Sequence, residues 1–180
     1  MRTAMRAGQV GSAELADLVA RGATVDLNLT VASLARLAAL GVPGSASDAA
    51  ALGAQGTFQS GPEGYPQLRL TVTGSVGLLC QRCLGELAWP VDLAVVLTLV
   101  RDDAEAVGLA DPFETALLTD DGLDLAQVVE DEVLASLPLS PRHPETAACG
   151  RHGTMNSGET HRPMAGLADL LGRGGRQGDE

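Results

Sequence analysis

The sequence predicts an α+β fold, an antiparallel sheet built around one long hairpin with a few helices packed against it. Three observations predict it. Across 67–80 the residues alternate, with Leu68, Leu70, Val72, Val76, Leu78 and Cys80 at even positions and Gln67, Arg69, Thr71, Thr73 and Ser75 at odd ones. A period of two sends these sets to opposite faces of a strand. The alternation resumes after Cys83 with Leu87, Trp89, Val91, Leu93, Val95, Leu97 and Leu99. Residues 124–137 switch to helical spacing, where Leu125, Val128, Val129, Val133 and Leu137 form one stripe.

The other elements follow in chain order. Residues 12–21 predict a short helix, with Ser12 as its cap, Leu15, Leu18 and Val19 on one face, and Gly22 as its stop. Residues 31–40 read the same way, through Leu34, Leu37 and Leu40 before Gly41. The stretch 43–56, rich in Pro, Gly, Ala and Ser, reads as a loop. Gly61-Pro62-Glu63-Gly64 reads as a turn, with 55–60 a partner strand before it. Gly74 interrupts an apolar face and suggests a bulge, and Pro90 argues for a sheet edge. The two long strands flank Gln81-Arg82, which puts Cys80 and Cys83 at the hairpin tip. In the helix at 124–137, Asp124 and Gln127 form a capping-box pair, and Pro138 ends it. Glu132 falls within that helix's apolar stripe, either at its edge reaching water or paired with Arg82, His143 or a partner. Trp89 is expected in the core, and a last short helix at 163–172 carries Met164, Leu167, Leu170 and Leu171. One domain over 1–172 is expected, with a disordered tail at 173–180.

Composition narrows the function classes. All twelve basic residues are arginines, against twenty-three acids, for a net charge of -11. Eleven of the acids lie within 102–132, which holds no arginine. That segment carries the whole excess, either as a solvated surface or as a face that attracts a basic protein. A nucleic-acid binder ordinarily needs a basic face to neutralise phosphate, so a link to RNA is expected to run through a protein partner. Arg142, Arg151 and Arg162 form the competing local basic cluster. The N-terminus shows no apolar signal core and no stretch has the length of a membrane span, so a soluble cytoplasmic protein with no membrane contact is expected.

Cys80 and Cys83 are the most specific local feature. Two thiolates two residues apart can grip one metal ion from a tight turn, but structural zinc wants four Cys or His ligands. Cys149 supplies a third, and His143 or His152 a fourth, so that a Cys₃His site for Zn²⁺ would tie the hairpin tip to the segment after the main helix. The alternative is a set of free thiols. A redox reading is weaker, because the pair joins two strands and no helix dipole is available to activate a thiolate. No nucleophile elbow, phosphate loop or dinucleotide fingerprint is present. No catalytic residue is therefore assigned.

Four segments together resemble the YceD family of large ribosomal RNA subunit accumulation proteins. They are Leu79-Cys80-Gln81-Arg82-Cys83-Leu84 at a strand end; Leu123-Asp124-Leu125 with Val129-Glu130-Asp131-Glu132 and Leu137-Pro138; Pro141-Arg142-His143 with Cys149 after it; and Arg162-Pro163-Met164-Ala165-Gly166-Leu167. Met164 stands where the family segment has Phe. Order and spacing match over residues 66–172, while the N-terminal third is matched weakly. The resemblance implies a role in the synthesis, processing or stability of bacterial 23S ribosomal RNA. It supplies no catalytic residues. The expectation is a non-catalytic ribosome-biogenesis factor, or a zinc-stabilised adaptor for a basic ribosomal or RNA-processing protein, with a thiol redox enzyme the least favoured class.

Overall fold

The computed structural model describes residues 8–41, 50–109, 114–145 and 149. Its centre is a five-stranded sheet in the order β2-β3-β4-β5-β6. The strands are β2 (Thr24–Thr30), β3 (Ala51–Ser60), β4 (Pro66–Leu79), β5 (Glu86–Val100) and β6 (Glu114–Leu117). Among the described residues four α-helices accompany them: α1 (Ser12–Arg21), α2 (Ala35–Leu40), α3 (Asp103–Gly108) and α4 (Leu125–Ser136). A two-residue β1 (Gln9–Val10) pairs antiparallel with β7 (Leu123–Asp124) and leads the chain past the start of α4. No described helix is long and apolar enough to cross a membrane.

The long hairpin is the spine. β4 and β5 pair antiparallel without a break from Gln67↔Thr98 to Leu79↔Glu86. Leu68, Leu70, Val72, Val76 and Leu78 are buried on one face, as their alternation requires, and Arg69, Thr71 and Thr73 are exposed on the other. β3 and β2 extend the sheet antiparallel on one side, and β6 joins β5 in parallel on the other. A parallel neighbour cannot be reached by a tight turn, and α3 lies in the connection between β5 and β6. The apolar sheet face meets α1 through Leu15 and Leu18, α2 through Leu37, and α4 through Leu125, Val129 and Val133.

Several expectations need correction. Residues 51–56 belong to β3 instead of a loop: Leu52, Ala54 and Phe58 alternate into the core, and the glycines between them let neighbouring side chains approach, Leu68 lying where a Cβ on Gly56 would stand. The segment 31–40 is split into a 3-10 turn (Val31–Ser33) and α2. Ser12 does not cap α1; Gly11 holds that position, and Gly22 closes the helix in the left-handed conformation with its N–H on Leu18 and Val19 carbonyls. Gly74 makes no bulge, since its register runs straight through from Leu52 to Val91. Its φ is +149°, and a Cβ there would stand 2.5 Å from the Ala51 carbonyl oxygen, so close strand approach is what demands glycine. Pro90 sits where β5 has β4 on one side and, among the described residues, no paired strand on the other, the edge position proline tolerates. The expected helix at 163–172, the tail at 173–180 and His152 lie outside the described residues.

Asp124 caps α4 as its sequence position implies, its Oδ1 accepting from the Ala126 and Gln127 N–H groups. The buried carboxylate of α4, however, is Glu130 and not Glu132. Glu130 reaches across to α2, where its Oε1 accepts from the backbone N–H of Arg36 and Leu37 at 2.7 and 3.2 Å, and its Oε2 from the Arg36 guanidinium. α2 has no capping side chain of its own, so a carboxylate from another helix serves its first turn. Glu132 is half-buried with Glu114 and Asp131 as charged neighbours, and burial followed by these two acids raises its pKa.

Candidate metal centre

The hairpin turns over Cys80–Gly85 in a tight knuckle. Cys80 N–H donates to the Gly85 carbonyl at 2.9 Å, and Leu84 N–H donates back to the Cys80 carbonyl at 2.8 Å. Leu84 must adopt φ 58° to complete the loop. This closure turns the Cys80 and Cys83 side chains inward, where both are buried. After α4, Pro138 ends the helix and the chain returns to the knuckle, where Gln81 N–H donates to the Pro141 carbonyl at 2.8 Å. That backbone link brings His143 and Cys149 onto the same spot.

The ligand atoms of Cys80, Cys83, His143 and Cys149 all lie within 4.8 Å of one another, so the four could hold a metal ion. His143 Nδ1 is 3.6 Å from Cys83 Sγ and 3.6 Å from Cys149 Sγ. Its Nε2 lies 3.1 Å from the Glu86 carbonyl. A carbonyl accepts only, so Nε2 carries the proton and Nδ1 turns a lone pair toward the sulfurs. A backbone carbonyl holding the far ring nitrogen is the usual support of a metal-binding histidine. The spacing also fits: a sulfur at 2.3 Å and a nitrogen at 2.0–2.1 Å from a tetrahedral zinc are themselves about 3.6 Å apart.

The electrostatics favour a thiolate. Burial opposes ionisation of Cys80, but the backbone N–H groups of His143, Arg82 and Cys83, with the Cys83 thiol, outweigh it and lower the pKa to about 5. Burial pushes the Cys149 thiol the other way, and the Cys83 and Cys80 sulfurs add to that push. The Arg82 guanidinium, 3.7 Å from Cys149 Sγ, works against it. Three thiolates and a neutral imidazole around a divalent ion leave one net negative charge, which Arg82 is placed to offset. Around a metal ion, four such protein donors would fill a tetrahedral shell, the ligand set of a structural zinc site.

Thus Cys80, Cys83, His143 and Cys149 converge where the sequence reading grouped them. Arg82, the Glu86 carbonyl and the Gln81–Pro141 link were not assigned a part in the site. Arg82 could have been flagged by its position between the two cysteines, whereas a backbone carbonyl leaves no mark in a sequence. Trp89 is half-buried and packs against both the thiol cluster and the main core, so it bridges the two. Of the basic cluster, Arg142 is exposed beside His143, and Arg151 and Arg162 lie outside the described residues.

No solved structure matches the chain. A family model described as large ribosomal RNA subunit accumulation protein YceD matches residues 68–171, a span that opens in β4 and takes in the knuckle, α4 and the returning segment. The chain belongs to the YceD family.

Proposed function

We propose that this protein supports accumulation of 23S ribosomal RNA as a non-catalytic ribosome-biogenesis factor, and that Zn²⁺ held by Cys80, Cys83, His143 and Cys149 fastens the segment after α4 to the hairpin tip. The observation that carries the metal reading is the convergence of four donor atoms within 4.8 Å, with the fourth donor's lone pair aimed by the Glu86 carbonyl. The RNA role rests on the family's description. Bound metal would act as a structural cross-link between segments distant in sequence.

The protein reaches RNA through a basic ribosomal or RNA-processing protein. A net charge of -11 supports this reading, because phosphate repels such a surface and opposite charge steers an arginine- and lysine-rich partner. Part of the acidic 102–132 segment is committed internally: Asp102 and Asp124 cap helices and Glu130 braces α2. Asp131 pairs with Arg36 and Glu105 with Arg101, which leaves exposed acids such as Asp103, Asp120 and Asp121 for a partner.

Two measurements test the proposal. Elemental analysis of purified full-length protein should find one zinc per chain, lost in Cys83→Ser and in Cys149→Ser; a metal-free wild type that stays folded removes the zinc. Titration at several salt concentrations should show binding to basic large-subunit proteins and weak binding to a 23S RNA fragment. Tight RNA binding with a steep salt slope would reverse the assignment of partner.

A further inference from the structure

At the end of the hairpin far from the thiols, the fold leaves a groove of about 740 Å³. One wall is α1, with Leu15, Ala16 and Val19; the opposite wall carries Tyr65, Leu99 and Leu118. Ala16 is exposed and Val19, Tyr65 and Leu118 are half-buried along it, with Leu15 and Leu99 buried beneath, so the floor is apolar. Three acids lie along it, Glu63, Glu105 and Asp120, with one cation, Arg101. Glu105 is occupied by Arg101, taking its backbone N–H at 2.8 Å and facing its guanidinium at 3.9 Å. Glu63 and Asp120 make no side-chain hydrogen bond or ion pair among the described residues and are exposed. Glu63 is also held at φ 57° in the turn before β4, a left-handed conformation that disfavours any residue with a Cβ.

We propose that this groove is the docking site for the basic protein partner, taking a short segment whose apolar side chains fill the floor while flanking Arg or Lys reach Glu63 and Asp120. The inference rests on the reading that the partner is a basic protein. Charge complementarity selects the occupant: the free charges on the rim are both negative, so a basic segment gains and an acidic one, or a nucleic-acid backbone, is repelled. An apolar floor with a polar rim is the common anatomy of a protein interface. The site combines α1, the turn before β4 and the chain after β6, so the N-terminal third takes part in it. Since β4 alone runs 14 residues, at a strand rise of about 3.3 Å the groove and the thiol cluster lie roughly 40 Å apart. Partner binding and metal binding are therefore separable by substitution.

The test uses the full chain and purified arginine- and lysine-rich large-subunit ribosomal proteins, each titrated separately by calorimetry. Ala16→Arg places a cation and bulk on the floor from an exposed helix position. The double change Glu63→Gln with Asp120→Asn removes both free rim charges, and Asp26→Asn with Asp92→Asn removes as many from the outer sheet face. The first two variants are expected to bind at least about tenfold more weakly, and the third to bind like wild type. Circular dichroism and zinc content unchanged in all three would place the loss at the groove. A partner that binds wild type and all variants equally overturns the groove and leaves the basic partner standing. Binding to none of these proteins, or to a 23S RNA fragment in their place, overturns both.

Discussion

Leu84 and Gly74 show how single backbone positions shape the hairpin. Leu84 is 71% exposed and sits at φ 58°, so its side chain gains little from packing while its backbone is held in a region that costs a non-glycine residue about 1–2 kcal/mol. Its N–H closes the knuckle, a duty any residue but proline can perform. Leu84→Gly is therefore expected to stabilise the protein by about 0.5–1 kcal/mol, the strain relieved less the extra entropy glycine loses on folding. A denaturation midpoint that falls, or zinc lost from an otherwise folded variant, would contradict this. Gly74→Ala works in the opposite sense, because the new methyl meets the Ala51 carbonyl at 2.5 Å and Leu52 Cδ2 at 2.9 Å in the middle of the sheet. It is expected to cost about 2–3 kcal/mol, read as a lower midpoint with unchanged slope. At this scale the proposed ligands are legible because thiol and imidazole side chains announce metal-binding chemistry. The reason for Gly74 was not, since a close approach between strands appears only once β3 lies against β4.

Among the elements, the brace between α4 and α2 carries the clearest pH dependence. Burial works to raise the Glu130 carboxyl, but the Leu37 N–H, the Arg36 guanidinium and the Arg36 N–H together hold it below the usual carboxylate range. A depressed folded-state pKa contributes stability that is present above the unfolded value of about 4.3 and is lost as pH falls through the folded one. Glu130→Gln should cost about 2 kcal/mol at neutral pH, since it weakens charge-assisted bonds to the buried Leu37 N–H and the part-buried Arg36 N–H. The gap to wild type should then narrow as the solution is made acid. A gap independent of pH down to acid unfolding would show that the carboxylate's charge contributes nothing. The sequence could not distinguish Glu130 from Glu132, because α4 buries a broad face and only the position of α2 decides which acid is covered. The hairpin and α4 were legible from their periods of two and 3.6. The second half of β3 lies within the strand expected at 55–60; its first half was hidden because Gly53, Gly56 and small side chains give little strand signal, though its alternation of Leu52, Ala54 and Phe58 fills the core. β2 was left unassigned even though Val25, Leu27 and Leu29 alternate with polar residues; that signal was available.

At the scale of the molecule, the apolar interior of the described residues falls into two clusters. The larger packs α1, α2 and α4 on the sheet, while the smaller consists of Cys80, Cys83, Leu87 and Cys149 at the hairpin tip. The larger one contains none of the proposed ligands, so its packing is expected to survive loss of metal. Among the described residues the smaller has Leu87 and part of Trp89 as its apolar support, and a bound metal would add a cross-link to it. Trp89 touches both clusters and is the chain's single tryptophan, which makes its fluorescence a specific reporter of the tip. Removing zinc with a strong chelator is thus expected to shift Trp89 emission and to open the link between knuckle and returning segment, while the far-ultraviolet dichroism of the sheet persists. Re-addition of zinc should restore the emission, and Cys149→Ser should reproduce the chelated spectrum without chelator. Glu130→Gln, acting in the larger cluster, should lower thermal stability and leave the emission unchanged. Global unfolding on chelation would mean that the clusters form one cooperative unit. An emission spectrum indifferent to zinc, in protein that binds it elsewhere, would place the metal away from the tip.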